Sequence, residues 1–180
     1  MVEADFHPNT DNRLGDWFAF VRGRGDLSDP EIRALERNRN FLATLTTTSL
    51  ARSYKPLLLR AMHAEGELPG RVGIEALTAR FAKVAAANPM FRDDVSTGLE
   101  NLRALRGLLV RYPIERWVTA RGAPSFFNYA DGVFSTRFDV ADEDRPAFDD
   151  LFLEIIDWRL AEYLGRAHLP IGGIDEDEAV

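Results

Sequence analysis

Residues 52–81 read RSYKPLLLRAMHAEGELPGRVGIEALTARF, and the fold follows from how that stretch divides. Leu57, Leu58, Leu59, Ala61 and Met62 leave almost no polar face across the middle of its first half. A helix apolar all round belongs inside a domain, so the spacing predicts a central buried helix over roughly 50–64. Pro56 suits its first turn, where no intrahelical N–H is needed. Gly66, Pro69 and Gly70 then stop the helix and turn the chain. Val72-Gly73-Ile74 reads as a short extended piece. Ile74, Leu77, Phe81 and Val84 give the apolar face of a second helix ending near Asn88-Pro89.

Upstream, Leu14, Trp17, Phe18, Phe20 and Val21 form a dense apolar cluster after a polar, acidic N-terminus, and the segment is expected to lie against the main body. Ser28-Asp29-Pro30 carries the cap and first-turn proline of a helix start. Ile32, Leu35, Phe41, Leu42 and Leu45 continue at helical spacing until the Thr46–Ser49 run breaks it. Downstream, Leu99, Leu102, Leu105, Leu108 and Leu109 predict the buried face of a helix from Ser96 to Tyr112, stopped by Pro113. Two aromatic or β-branched runs, 125–129 and 133–138, flank Asp131-Gly132, the signature of a two-residue hairpin turn. A final apolar helix opens near Asp142–Pro146 and ends near Gly165. The expected fold is mainly α with a small β-hairpin. It is winged-helix-like, with residues 1–49 as an N-terminal arm and helix, 50–166 as the winged body with its closing helix, and 167–180 as a disordered acidic tail.

Composition narrows the function. The 180 residues suit one domain with a substantial core, and no apolar run approaches the length of a membrane span. The lack of cysteine excludes disulfides and thiolate metal sites, and a cytoplasmic setting is expected. The net charge of −7 is unevenly spread: residues 31–121 carry 15 basic against 9 acidic side chains, while 122–180 carry 4 against 14. A basic centre between acidic ends fits a partly masked nucleic-acid surface, and equally a solvated helical domain with an acidic tail.

No catalytic residues, metal ligands or cofactor site are expected. His7, His63 and His168 show no His-x-x-x-His spacing, and no nucleophile elbow or phosphate loop is present. Asp93-Asp94 and Asp142-Glu143-Asp144 are carboxylates of a kind that serve helix starts. The polar residues that stand out are Arg103, Arg106, Arg111 and Arg116, which could contact phosphates or a guanine edge. Arg121 extends that series. Tyr54 and Lys55 at the start of the central helix are a second candidate, either as a phosphate contact or as an inward tyrosine beside a lysine whose stem covers apolar surface. Phe127 and Phe134 are the hairpin aromatics expected to face solvent.

An ordered series of motifs carries a resemblance. RLGDWFAFVRGRGDL (13–27), FLATLTTTSLARSYKPLLLRAM (41–62), ANPMFRDDV (87–95), YPIERW (112–117), SFFNYADGVF (125–134) and DWRLAEYLGR (157–166) resemble an accessory C-terminal region of bacterial DEAD/DEAH-box helicase-like proteins tied to restriction and phage defence. The chain departs from the larger members of that family in having neither the Gly-x-x-x-x-Gly-Lys-Ser/Thr loop nor the Asp-Glu-Ala-Asp/His box, so nothing about ATP carries over. A fainter outline, on Lys55–Leu59, Pro113, Trp117, Asp131 and Gly132, is similar to the sulfur-recognising domain of phosphorothioate-dependent restriction enzymes, without its sulfur pocket. The resemblance implies a non-enzymatic DNA-binding or specificity module, with DNA and a helicase/ATPase chain as partners and no membrane. Two other readings stay open: a protein-interaction module that docks on a helicase through its acidic final helix or N-terminal arm, and a reader of modified DNA. Unpaired, clustered arginines favour DNA contact, and arginines neutralised by Asp149, Asp150 or Glu154 favour the interaction module.

Overall fold

The computed structural model describes residues 27–119 and 125–168. The aromatic cluster of 14–21, Arg121 and the tail from 169 onward lie outside them. The described chain is mainly helical with a small three-stranded antiparallel sheet, and it divides into two compact units.

The first unit comprises residues 27–49 and 140–155. Helix α1 (Asp29–Thr47) starts where the sequence predicts. The Ser28 N–H and hydroxyl both donate to the Glu31 carboxylate, at 2.7 and 2.6 Å, so donors that the first turn leaves without intrahelical partners are satisfied at its mouth. A 3₁₀ turn (Asp142–Asp144) is tied to α1 through Asp144, which is fully buried and accepts from Arg37 Nη1 at 2.6 Å, with Arg33 Nε at 3.6 Å. Phe41 stacks on Phe148, and Phe148 on Phe152, at ring separations of 6.1 and 6.3 Å. Residues 140–155, expected with the winged body, therefore pack with α1.

The second unit comprises residues 50–139 and 156–168. The quoted stretch resolves into helix α2 (Tyr54–Ala64), strand β1 (Arg71–Gly73) and helix α3 (Ile74–Ala86). Leu57, Leu58, Leu59, Ala61 and Met62 are fully buried, as an all-apolar helix requires. A short helix α4 (Pro89–Asp94) follows, where the sequence reading had only a terminator. Asn88 caps it by accepting from the Met90 N–H at 2.9 Å, and Pro89 fits its first position.

Strands β2 (Phe127–Ala130) and β3 (Val133–Thr136) form the expected hairpin, closed by Asp131 and Gly132 with φ of 51° and 74°. Two successive positive φ angles are what a type I′ turn needs, and its twist matches that of the strands. The hairpin also takes β1 as a third strand in the order β1-β3-β2, with Val72 opposite Phe134. Phe127 and Phe134 are fully buried and stacked at 5.0 Å and 10°. The expectation that they face solvent is corrected: they are the inward residues of the pleat. Helix α7 (Arg145–His168) runs to His168, so the tail begins two residues later than expected; its residues 145–155 count with the first unit and 156–168 with the second.

Candidate nucleic-acid interface

Helix α5 (Leu102–Leu109) is the element on which the candidate site rests. It starts six residues later than the leucine spacing suggests. The Asn101 side chain accepts from the Ala104 N–H at 3.0 Å and fixes the first turn there. Leu99 is buried ahead of the helix, whereas Leu102 is 46% exposed, so the five leucines do not form one buried face. Leu105 and Leu109 are the fully buried pair that seat the helix.

Pro113 does not stop the helix either. It lies within a π-helical segment (Val110–Ile114) that leads directly into α6 (Glu115–Val118). Proline lacks the N–H for an α-helical bond, and its ring would press on the carbonyl of Leu109. Widening the helix by one residue clears that clash and lets the chain continue. Ile114 and Trp117 are thereby turned inward.

The run 102–118 carries four arginines against one acid, Glu115. Arg103, Arg106, Arg111 and Arg116 are all exposed. Arg103 and Arg106 are three residues apart and share the outer face of α5. Arg106 Nη1 donates to Glu75 Oε1 on the first turn of α3 at 2.6 Å. Among the described residues, no ion pair engages Arg103, Arg111 or Arg116. None of the four is neutralised by Asp149, Asp150 or Glu154.

Tyr54 and Lys55 separate into different roles. Tyr54 is buried, donates its hydroxyl to the Asp94 carbonyl at 2.6 Å and meets Phe81 edge-on. It faces the core and has no surface left for a phosphate, which corrects its place among the DNA-contacting candidates. Lys55 is half-buried with its ammonium 5.7 Å from the centroid of the Trp117 ring, a cation–π contact. The Trp117 Nε1–H donates to the Lys55 carbonyl at 3.3 Å, and its ring lies 5.4 Å from that of Phe127. Burial depresses the Lys55 pKa below the usual lysine range, and the nearby Arg116 and Arg159 depress it further. Lys55 thus belongs to a region where cations already repel one another, and an anion would relieve that repulsion.

Beneath this surface, Asp94 is the anchor. Its Oδ2 accepts from the Ser53 N–H at 3.0 Å and the Ser53 hydroxyl at 2.7 Å, and its Oδ1 from Arg52 Nη1 at 2.6 Å. Burial pushes the Asp94 carboxyl up, but bonds from Arg52, from the hydroxyl and N–H of Ser53, and from the Tyr163 hydroxyl outweigh it and hold the group below the usual aspartate range. The carboxylate is committed to holding the start of α2.

Arg137, exposed just beyond β3, was not among the residues singled out from sequence. The alternation along the hairpin was the available signal, because Arg137 stands one position from inward-facing Phe134's side of the pleat and so on the outer side. Among the described residues, no cluster of three His, Asp or Glu side chains could hold a metal ion, and no helix is long and apolar enough to cross a membrane. Comparison of the chain with protein-family models, with curated proteins and with solved structures gives no match.

Proposed function

We propose that the chain is a non-enzymatic DNA-binding module of winged-helix type. In this reading α2, β1, α3, α5 and the β2–β3 hairpin are the helix, strand, helix, helix and wing of that fold. The order β1-β3-β2 supports it, since the strand after the first helix pairs with the far arm of the wing. The 102–118 helix is then the reading helix in the major groove, and the hairpin with Arg137 flanks it.

The observation that carries the proposal is a row of exposed arginines without internal partners, Arg103, Arg111 and Arg116, on one helical run of a protein with net charge −7. An acidic chain that keeps guanidinium groups unpaired on one surface is suited to a polyanion. The rival, docking through the acidic final helix, has less to work with. Asp149 pairs with Arg145, Asp157 with Arg60, and Glu162 with Arg159, so much of that acidity is answered within the chain. The motif series supplies the setting: a restriction or phage-defence system in which a separate helicase chain provides the motor.

Fluorescence anisotropy with a labelled mixed-sequence duplex tests the proposal. The full chain is expected to bind, and Arg103→Ala/Arg111→Ala to lose most of that binding, while Arg39→Ala, an exposed arginine of α1, leaves it unchanged. Equal binding by all three proteins would contradict the assignment of the surface.

A further inference from the structure

Leu102 and Tyr112 are the large hydrophobic side chains left exposed among the described residues, at 46% and 48%. Isolated exposed leucines are common on protein surfaces, but the position of this one is specific. Leu102 is the first residue of α5, and the Asn101 cap defines that start. Arg106 stands four residues on and Arg103 between them, so one apolar side chain and two guanidinium groups occupy neighbouring positions on the outer face. Arg106 gives Nη1 to Glu75, which leaves other N–H groups of its fork for a second acceptor.

The N-terminal residues of a reading helix are those that reach base edges. In the major groove thymine alone among the unmodified bases presents a methyl group, and arginine pairs best with the O6 and N7 of guanine. We infer that Leu102 packs on the C5-methyl group of a thymine while Arg106 reads a guanine in a neighbouring base pair. The inference rests on the DNA-binding reading above and makes Leu102 a specificity-determining residue. Charge complementarity between the arginine row and the phosphates brings the leucine to the groove.

The test is selection of the full chain on a random-core duplex library, followed by anisotropy on the enriched duplex in three forms: with thymine, with uracil in its place, and with 5-methylcytosine substituted for cytosine. The enriched site is expected to hold thymine near guanine. Uracil is expected to weaken binding by about fourfold, the factor that corresponds to burying one methyl group. Leu102→Ala is expected to bind the thymine and uracil forms equally, and Leu102→Met, which keeps an apolar reach, to preserve the difference. Equal wild-type affinity for thymine and uracil forms, with binding still dependent on Arg103, would overturn the methyl contact and leave the DNA reading standing. A site enriched for 5-methylcytosine instead would overturn thymine as the source of the methyl group. Absence of binding to every form would overturn both readings together.

Discussion

Replacing Asp94 with alanine removes the anchor on which α2 and the tryptophan beside Lys55 depend. Two donors of Ser53, itself fully buried, lose their acceptor: the N–H at 3.0 Å and the hydroxyl at 2.7 Å. A buried donor left without a partner costs about 1–3 kcal/mol. The Arg52 contact adds little, because the arginine side chain is 62% exposed and solvent screens the pair. The loss is about 3–5 kcal/mol, close to that of breaking one side of a buried ion pair. For a chain of this size that lowers the melting temperature by about 10 °C. Urea unfolding followed by tryptophan fluorescence, which reports Trp117, measures it as a lower midpoint with an unchanged slope. The pH dependence gives a second reading. Asp94 has a depressed pKa in the folded state, so its contribution is present above the usual aspartate value of 3.8 and is lost as pH falls through the folded value. The gap between wild type and Asp94→Asn is therefore expected to be constant near neutrality and to close below that pH. A cost under about 1 kcal/mol, or a gap that stays open in acid, would refute the reasoning.

Gly132→Ala is expected to cost about 1 kcal/mol in the same urea assay, from the positive φ of 74°. Steric crowding does not contribute, because an added Cβ would meet only the Ile74 Cγ2 at an ordinary 3.7 Å; Gly132→Asn, which tolerates that backbone, should cost less. Glu75→Gln frees Arg106 and removes a negative charge from the proposed interface. It is expected to tighten binding to mixed-sequence duplex by about two- to fivefold at low salt, seen mainly in the association rate by stopped-flow anisotropy.

Local chemistry was legible in the sequence and non-local pairing was not. The Asp131-Gly132 hairpin and the Ser28 capping box each depend on residues a few positions apart, and both stand where the sequence places them. Strand β1 is three residues long and contains a glycine, so its pairing with β3, some sixty residues away, left no local signature. Pro113 was read as a stop because an α-helix cannot accommodate it; the π segment is an alternative that hydrophobic spacing does not reveal. Leu102 was placed on a buried face by a period that assumed the helix had begun at Ser96. The exposed arginines were legible as candidates. That Arg106 is held by Glu75 while Arg103, Arg111 and Arg116 are not depends on α3 and α5 lying side by side, which no sequence interval encodes.

The salt dependence of duplex binding tests the central claim most directly. Each phosphate neutralised by an arginine contributes about −0.9 to the slope of log K against log salt concentration. The account predicts a steep wild-type slope that becomes shallower by roughly one for each of Arg103, Arg111 and Arg116 replaced by alanine. A slope near zero, or one that the three substitutions leave unchanged, would contradict it.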